Sequence, residues 1–384
     1  MSTANCYNLG LAYPLMNFPA NGDQILDLRP IPGDNNNMIL LYQSGLLYKF
    51  NANSVQLGDP WLNLTSEVYV KGEYGCFGMV FHPDYAEQGS PNKGKFYVNF
   101  GTRTNKNVVL LASWYTNSQG NVLLSSRENL YSWTKNQFNH NGGSLHTYKD
   151  STTNSSFLYH TTGDGGAQNA PNGAFRDHPQ DPSSVFGKVL RIQIDQAIGY
   201  SIPHDNPYVS NLDGDSRVYA LGLRNPWRCW LNNLPGGDPT KLICGDVGGE
   251  VWEEINIIEK GGNYGWDEME GPECLTGTCN ISLYDLPSFS YIHPHKVPSS
   301  QPDPIVTGYS IIGGMGYQGP LTELVGNYTF ADFTGGIYCL DATFTIPTVL
   351  VQQTPLIGSI RLNENGEMVF LSIGGPSQIW KLTN

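Results

Sequence analysis

The chain has 384 residues, only 14% of them charged, and its 34 acidic against 21 basic side chains give a formal charge of −13. So acidic a chain, with no cluster of Lys and Arg, repels a phosphate backbone, which argues against nucleic acid as a partner. No apolar run approaches the length of a bilayer span; the longest, near Met38–Tyr42, reads as an ordinary strand.

In chain order, short apolar or alternating runs predict strands at Met38–Tyr42, Leu46–Phe50, Phe77–Phe81, Lys95–Phe100 and Val108–Tyr115. Phe157–Thr161, Val189–Ile194, Arg217–Leu221, Lys241–Cys244 and Glu254–Ile258 follow. The C-terminal third adds Tyr328–Phe330, Ile337–Leu340, Thr348–Gln352, Ser359–Leu362, Met368–Ser372 and Gln378–Leu382. Most are bounded by Gly, Pro, Asn or Asp, while Asp34–Asn37 and Ser151–Ser156 read as polar surface loops. Helical periodicity is absent. Some two dozen strands overfill a sandwich or barrel, so the fold class is all-β, a six-bladed β-propeller of four-stranded antiparallel blades. No linker or charge run divides the chain, and residues 1–384 are expected to form a single domain.

Seven cysteines bear on the compartment. Cys274 and Cys279 bracket a short loop, and Cys229 and Cys244 end two runs that can be neighbouring strands, so both pairs suit disulfides. Cys6, Cys76 and Cys339 remain for one further pair and one free thiol. Four sequons, at Asn63, Asn154, Asn280 and Asn327, lie near turns. The opening Met1–Cys6 lacks a signal-peptide pattern. The cysteines outweigh it, and a secreted protein whose leader lies outside this sequence is expected.

The chemistry-bearing residues lie at the ends of these runs. His140 sits in Asn139-His140-Asn141-Gly142-Gly143, a polar, glycine-ended turn. Gly163-Asp164-Gly165-Gly166, Arg224-Asn225-Pro226 and Asp246-Val247-Gly248-Gly249 have similar settings, with Glu253-Glu254 close behind. One imidazole, one guanidinium and several oxygen donors at strand ends describe a single site assembled from many loops. Histidine suits proton abstraction near neutral pH.

The run Gly75-Cys76-Phe77-Gly78-Met79-Val80-Phe81-His82-Pro83 resembles the Gly-Leu-Leu-Gly-x-x-Phe-His-Pro segment of the soluble glucose/sorbosone dehydrogenases. Asn139–Gly143, Gly163–Gly166, Leu223–Arg228, Glu253–Asn256, Gly262–Trp266, Gly313–Tyr317 and Phe330–Phe333 continue the likeness over nearly the whole chain. The resemblance implies a six-bladed propeller with pyrroloquinoline quinone (PQQ) lying on a calcium ion over the central channel. Its substrates would be a small sugar and an external electron acceptor. The family's eukaryotic, hedgehog-interacting-protein-like branch implies another outcome, a secreted, non-catalytic calcium-binding propeller with a protein or glycan ligand.

Carried over residue by residue, the resemblance makes His140 the base, with Asp164 beside it. Arg224 and Asn225 become cofactor contacts, Gly248 and Gly249 carbonyl ligands of the cofactor's calcium, and Glu254 and Tyr264 ligands of a second calcium. Four cofactor positions depart from the quinone-dependent pattern. Glu73 replaces a glutamine, Thr334 a lysine, and Leu356 and Gly358 a pair of arginines, so Arg176, Lys296 or Arg361 would have to supply the missing charge. His293 and His295 are expected to be surface or loop residues.

Overall fold

The computed structural model of the chain describes residues 7–19, 22–135, 137–166, 178–210, 213–275, 277–300, 302 and 304–384. Its strands form six four-stranded antiparallel sheets, plus one two-stranded ribbon at Met269–Glu270 and Glu273–Cys274. The first strands of the sheets are Ile25–Pro30, Cys76–Phe81, Leu145–Lys149, Pro226–Leu231, Ile311–Gly316 and Ile357–Leu362, and they define blades one to six. Each first strand packs against that of the next blade, and the sixth against the first, so the six line a central axis. This is a six-bladed β-propeller.

The ring closes through a seam between distant parts of the chain. Blade six draws three strands from residues 357–383 and takes Asn8–Leu11 as its fourth, pairing Asn8 with Thr383 and Leu11 with Trp380. A row of backbone donors and acceptors that would otherwise form an open edge is thereby paired.

Every blade-to-blade seam has its own apolar cluster. Leu41 and Leu47 of blade one meet Phe96 and Trp114 of blade two, and Ile243 and Ile255 of blade four meet Phe330 and Tyr338 of blade five. The seams at blades two–three, three–four, five–six and six–one are filled likewise. Both faces of each middle strand are therefore buried, which is why those strands read as continuous apolar runs. Near the axis the backbones approach too closely for side chains. A Cβ on Gly143 (φ +93) would run into the side chain of Phe77, and one on Gly313 (φ +90) into the carbonyl of Arg228.

Cys229 and Cys244 stand at paired positions on the first two strands of blade four and form a disulfide, as do Cys274 and Cys279. The expected third pair does not join Cys76 to Cys339. Both are buried free thiols, one on the inner strand of blade two and the other within blade five. Cys6 lies outside the described residues. Among those residues no helix is long and apolar enough to cross a membrane.

Candidate functional site

Loops that enter the inner strands all reach one end of the axis. Glu73, His140, Arg224, Asn225, Tyr309 and Ser310 arrive this way, each just before an inner strand begins. The turns Val247–Gly249, Phe333 and Ile373, which follow second strands, come up to the same end. Together they line a cavity of about 360 Å³. A neighbouring cavity of about 320 Å³ shares Glu73, Trp227, Phe333 and Ile373 with it, so the two form one funnel mouth.

His140 is buried in a left-handed conformation (φ 50) that side chains other than glycine adopt only when held there. Glu73 Oε2 accepts its backbone N–H at 2.9 Å. The buried ammonium of Lys135 donates to the carbonyl of Asn139 (2.7 Å), to Asn141 Oδ1 and, more weakly, to the His140 carbonyl (3.4 Å). Its burial lowers the Lys135 pKa to about 7, partly offset by the charges of Glu73 and Asp164. On the far side, a Cβ at position 163 would collide with the His140 carbonyl, so Gly163 permits the two loops to touch.

The ring of His140 points its Nδ1 at Asp164 Oδ1, 2.7 Å away. Asp164 does not line the cavity; it sits behind the ring, its other oxygen accepting the Trp266 indole N–H at 2.9 Å. Burial alone would raise the Asp164 carboxyl. The hydrogen bond and electrostatic influence of His140, the charge of Arg224 and the Gly166 amide outweigh it and hold the group below the usual carboxylate range. An ionised Asp164 takes the proton-bearing Nδ1, which leaves the lone pair on Nε2.

Asp246 fixes the second loop: its carboxylate accepts the backbone N–H groups of Arg224 (2.9 Å) and Asn225 (2.6 Å). The Arg224 guanidinium lies 5.3 Å from the Trp266 ring and donates to the Val247 carbonyl at 2.8 Å. Asn225 Oδ1 accepts the Gly142 amide at 3.0 Å, joining this loop to the His140 turn.

The Gly248–Gly249 turn is held from beneath by carboxylates. Glu270 Oε1 accepts four consecutive N–H groups, from Gly249 to Trp252, at 2.7–3.0 Å. Glu253 Oε2 accepts those of Gly248 (3.2 Å) and Ile311 (2.8 Å). With the amides so engaged, the Gly248 and Gly249 carbonyls accept no hydrogen bond among the described residues. Glu253 Oε1 lies 2.7 Å from His293 Nε2; His293 stands in the loop after Ile292, as one of its two expected settings had it, but is buried rather than at the surface. The ring is buried because the fully buried Glu253 needs a partner, and it packs against Tyr309.

Among the described residues no three His, Cys, Asp or Glu side chains converge as a metal cluster. Calcium, however, also takes carbonyl and amide oxygens. The two bare carbonyls on the cavity wall are such donors. So is the pair Asp246 and Glu254, which face each other across adjacent strands. Burial raises both, Glu254 to about 7; the charge of Glu254 adds to the rise of Asp246, and those of Glu253 and Glu270 add to that of Glu254. Beside Glu254 the buried Asn256 Oδ1 has no partner. A cation there would relieve all three groups. Tyr264 contributes no side chain, since its hydroxyl donates to the Ile257 carbonyl at 2.7 Å inside the core; only its backbone oxygen is available.

The departures from the quinone pattern lie as follows. Glu73 lines the mouth and is spent on His140. Thr334 is exposed, donates to Asp332 and does not line the cavity. Leu356 is also exposed, and the Gly358 carbonyl accepts the Trp227 indole N–H at 3.0 Å. Of the substitute cations, Lys296 lies 4.0 Å from Glu250, Arg361 is buried at the axis on Asp27, and Arg176 lies outside the described residues. Lys135, Asp246, Trp266 and Glu270 hold the site together; Asp246 stood in the Asp246-Val247-Gly248-Gly249 run, but Lys135 and Glu270 were not singled out from sequence. Only the Gly-Asn-Tyr-Gly-Trp run signalled Trp266.

A family model described as Glucose / Sorbosone dehydrogenase matches residues 24–283. The chain is 26% identical over 372 residues to HIPL1 protein of Arabidopsis thaliana, covering 81% of this chain and 51% of that protein. It is 31% identical over 218 residues to quinoprotein glucose dehydrogenase B of Acinetobacter calcoaceticus, covering 52% and 41% respectively. The chain thus spans about half or less of the length of these relatives. Among solved structures, the soluble aldose sugar dehydrogenase of Escherichia coli in its apo form matches with a TM-score of 0.74. That match covers 98% of this chain and 99% of that one at 17% identity, a likeness of fold.

Proposed function

The chain belongs to the glucose/sorbosone dehydrogenase family, and from that premise we propose that it is a calcium- and PQQ-dependent oxidoreductase acting on an aldose or related sugar. The observation that carries the reading is the His140–Asp164 pair, opening on the same cavity as Arg224 and the bare carbonyls of Gly248 and Gly249. His140 Nε2 takes the proton of the sugar hydroxyl, while Asp164 holds the ring and stabilises the imidazolium that forms. Arg224 places a fixed positive charge at the cavity wall, where negative charge develops on the acceptor as it is reduced. The Gly248 and Gly249 carbonyls would hold calcium, with Glu254, Asp246 and the Tyr264 carbonyl at a second calcium. PQQ, when bound, supplies the two-electron acceptor that no protein side chain provides.

The oxygen donors suit calcium in kind, while Arg224 and Asn225 answer the tricarboxylate quinone only in part. Glu73 at the mouth and the outward Thr334 instead favour a second reading, a secreted calcium-binding propeller whose funnel takes a protein or glycan ligand. The two disulfides support secretion in either case. The deciding experiment is a melting titration with calcium, PQQ and both, followed by a sugar panel with a dye as external acceptor. The enzyme reading expects a further rise in melting temperature with quinone and sugar-dependent dye reduction. A response to calcium alone, with no turnover, selects the binding module.

A further inference from the structure

Below the funnel floor, the inner strands carry charge into the axis. Asp27 and Arg29 come from blade one, Arg228 from blade four and Arg361 from blade six, and all four are buried. Asp27 accepts the backbone N–H groups of Leu28 (2.9 Å) and Met79 (3.1 Å). It also accepts Arg29 Nε, at 3.1 and 3.2 Å to its two oxygens, and Arg361 Nε on Oδ1. Among the described residues it is the one carboxylate acting on the three guanidiniums. The neighbouring His146 adds no counter-charge: burial and the charges of Arg29 and Arg361 keep it neutral.

The arginines' hydrogen bonds can be followed atom by atom. Arg228 spends all three nitrogens, on Ser359 Oγ and the carbonyls of Trp227 and Leu26. Arg29 Nη2 donates to the Leu145 carbonyl (3.2 Å) and Arg361 Nη1 to that of Ile360 (2.7 Å). This leaves Arg29 Nη1 and Arg361 Nη2 without an acceptor among the described residues, on two guanidiniums that share one carboxylate oxygen. Neither atom is sealed in protein in the way that the Arg191 and Arg224 Nε atoms are, so both face open space at the axis.

Three buried guanidiniums against one carboxylate leave two uncompensated positive charges in a medium that solvates them poorly. Carbonyl dipoles satisfy hydrogen bonds but carry no net charge. From this geometry we propose a binding site for a small inorganic monoanion, chloride in class, at the propeller axis between Arg29 and Arg361. The ion completes the hydrogen bonding of Arg29 Nη1 and Arg361 Nη2 and halves the excess charge. The site is separate from the sugar cavity and stands whichever reading of the funnel holds.

The test uses the whole chain. Crystals grown or soaked in sodium bromide are expected to show an anomalous peak on the axis within hydrogen-bond distance of both guanidiniums. At constant ionic strength, replacing sodium gluconate by sodium chloride is expected to raise the melting temperature by about 2 °C or more. Arg361→Met is expected to abolish that difference. Absence of the axial bromide peak, or equal melting of the wild type in the two salts, overturns the proposal. The bromide measurement keeps it open to refutation even if the variant fails to fold.

Discussion

His140 Nδ1 lies 2.7 Å from Asp164 Oδ1, with the imidazole on the cavity wall and the carboxylate sealed behind it under the Trp266 indole. On the proposed function, the pair would serve as base and orienter. Replacing His140 by Gln is expected to lower sugar-dependent dye reduction by ~10²–10⁴-fold. Asp164→Asn is expected to lower kcat by ~10²-fold with little change in KM, because it disturbs the ring's tautomer and leaves the cavity wall intact. Steady-state kinetics on quinone-loaded protein check both, and unchanged calcium-dependent melting shows that the fold persists.

Glu270 gathers four amides onto one oxygen, so its removal should loosen the Gly248–Gly249 turn and little else. Glu270→Gln keeps an acceptor oxygen and is expected to be mild. Glu270→Ala leaves four partly buried donors unpaired and should cost ~1–3 kcal/mol in urea unfolding. Calcium titration should show at least a tenfold weaker affinity for the alanine variant; equal affinities would separate the turn from the metal.

Asp246 and Glu254 repel each other when ionised, and calcium would remove that repulsion. At a hundredfold excess over its Kd, calcium should stabilise the chain by about 2.7 kcal/mol, and chelation should reverse it. Glu254→Gln, which relieves the repulsion without the ion, is expected to melt above the wild type in chelator and to gain much less from calcium. Calorimetry with and without chelator decides the point.

Burial lowers both Lys135 and Lys188 to about 7 from an unfolded value of 10.5. Asp164 and Glu73 act on the first in the opposite sense, Asp181 and Asp215 on the second. Between those values the unfolded chain binds more protons than the folded one, so stability rises with pH and is lost as pH falls through 7. Urea unfolding at about pH 6.5, 7.5 and 8.5 should show this, with a contribution on the order of 1 kcal/mol from each lysine. Lys135→Met should flatten the slope. A wild-type stability that falls over this window would contradict the assignment.

The middle strands of the blades were legible because both their faces are apolar. Asn37–Tyr42, Lys95–Gly101 and Met368–Ser372, for instance, differ from the expected ranges by a residue at most. Four inner strands were not. Ile25–Pro30 and Pro226–Leu231 carry Asp27, Arg29 and Arg228 toward the axis, Leu145–Lys149 carries His146, and Ile311–Gly316 is half glycine. In each, charge or close backbone packing at the axis breaks the alternation that marks a strand.

The site divides the same way. Motif spacing placed His140, Arg224, Asn225, Gly248 and Gly249 on one cavity, while Asp164 proved to stand behind it and Thr334 outside it. Lys135 and Glu270 escaped notice because their roles rest on backbone partners, and any residue type supplies a backbone amide or carbonyl. A buried lysine or glutamate in a linear sequence looks like any solvated one.

Asn8–Leu11 lies against Ile379–Thr383, so the earliest described strand and the last one complete each other. A nascent chain emerging from the ribosome cannot fasten this clasp until Ile379–Thr383 are out, and every blade before then belongs to an open arc. The pocket, whose walls come from blades all round the circle, is accordingly a property of the closed ring. Removing Asn8–Leu11 would be felt at a cavity they never touch.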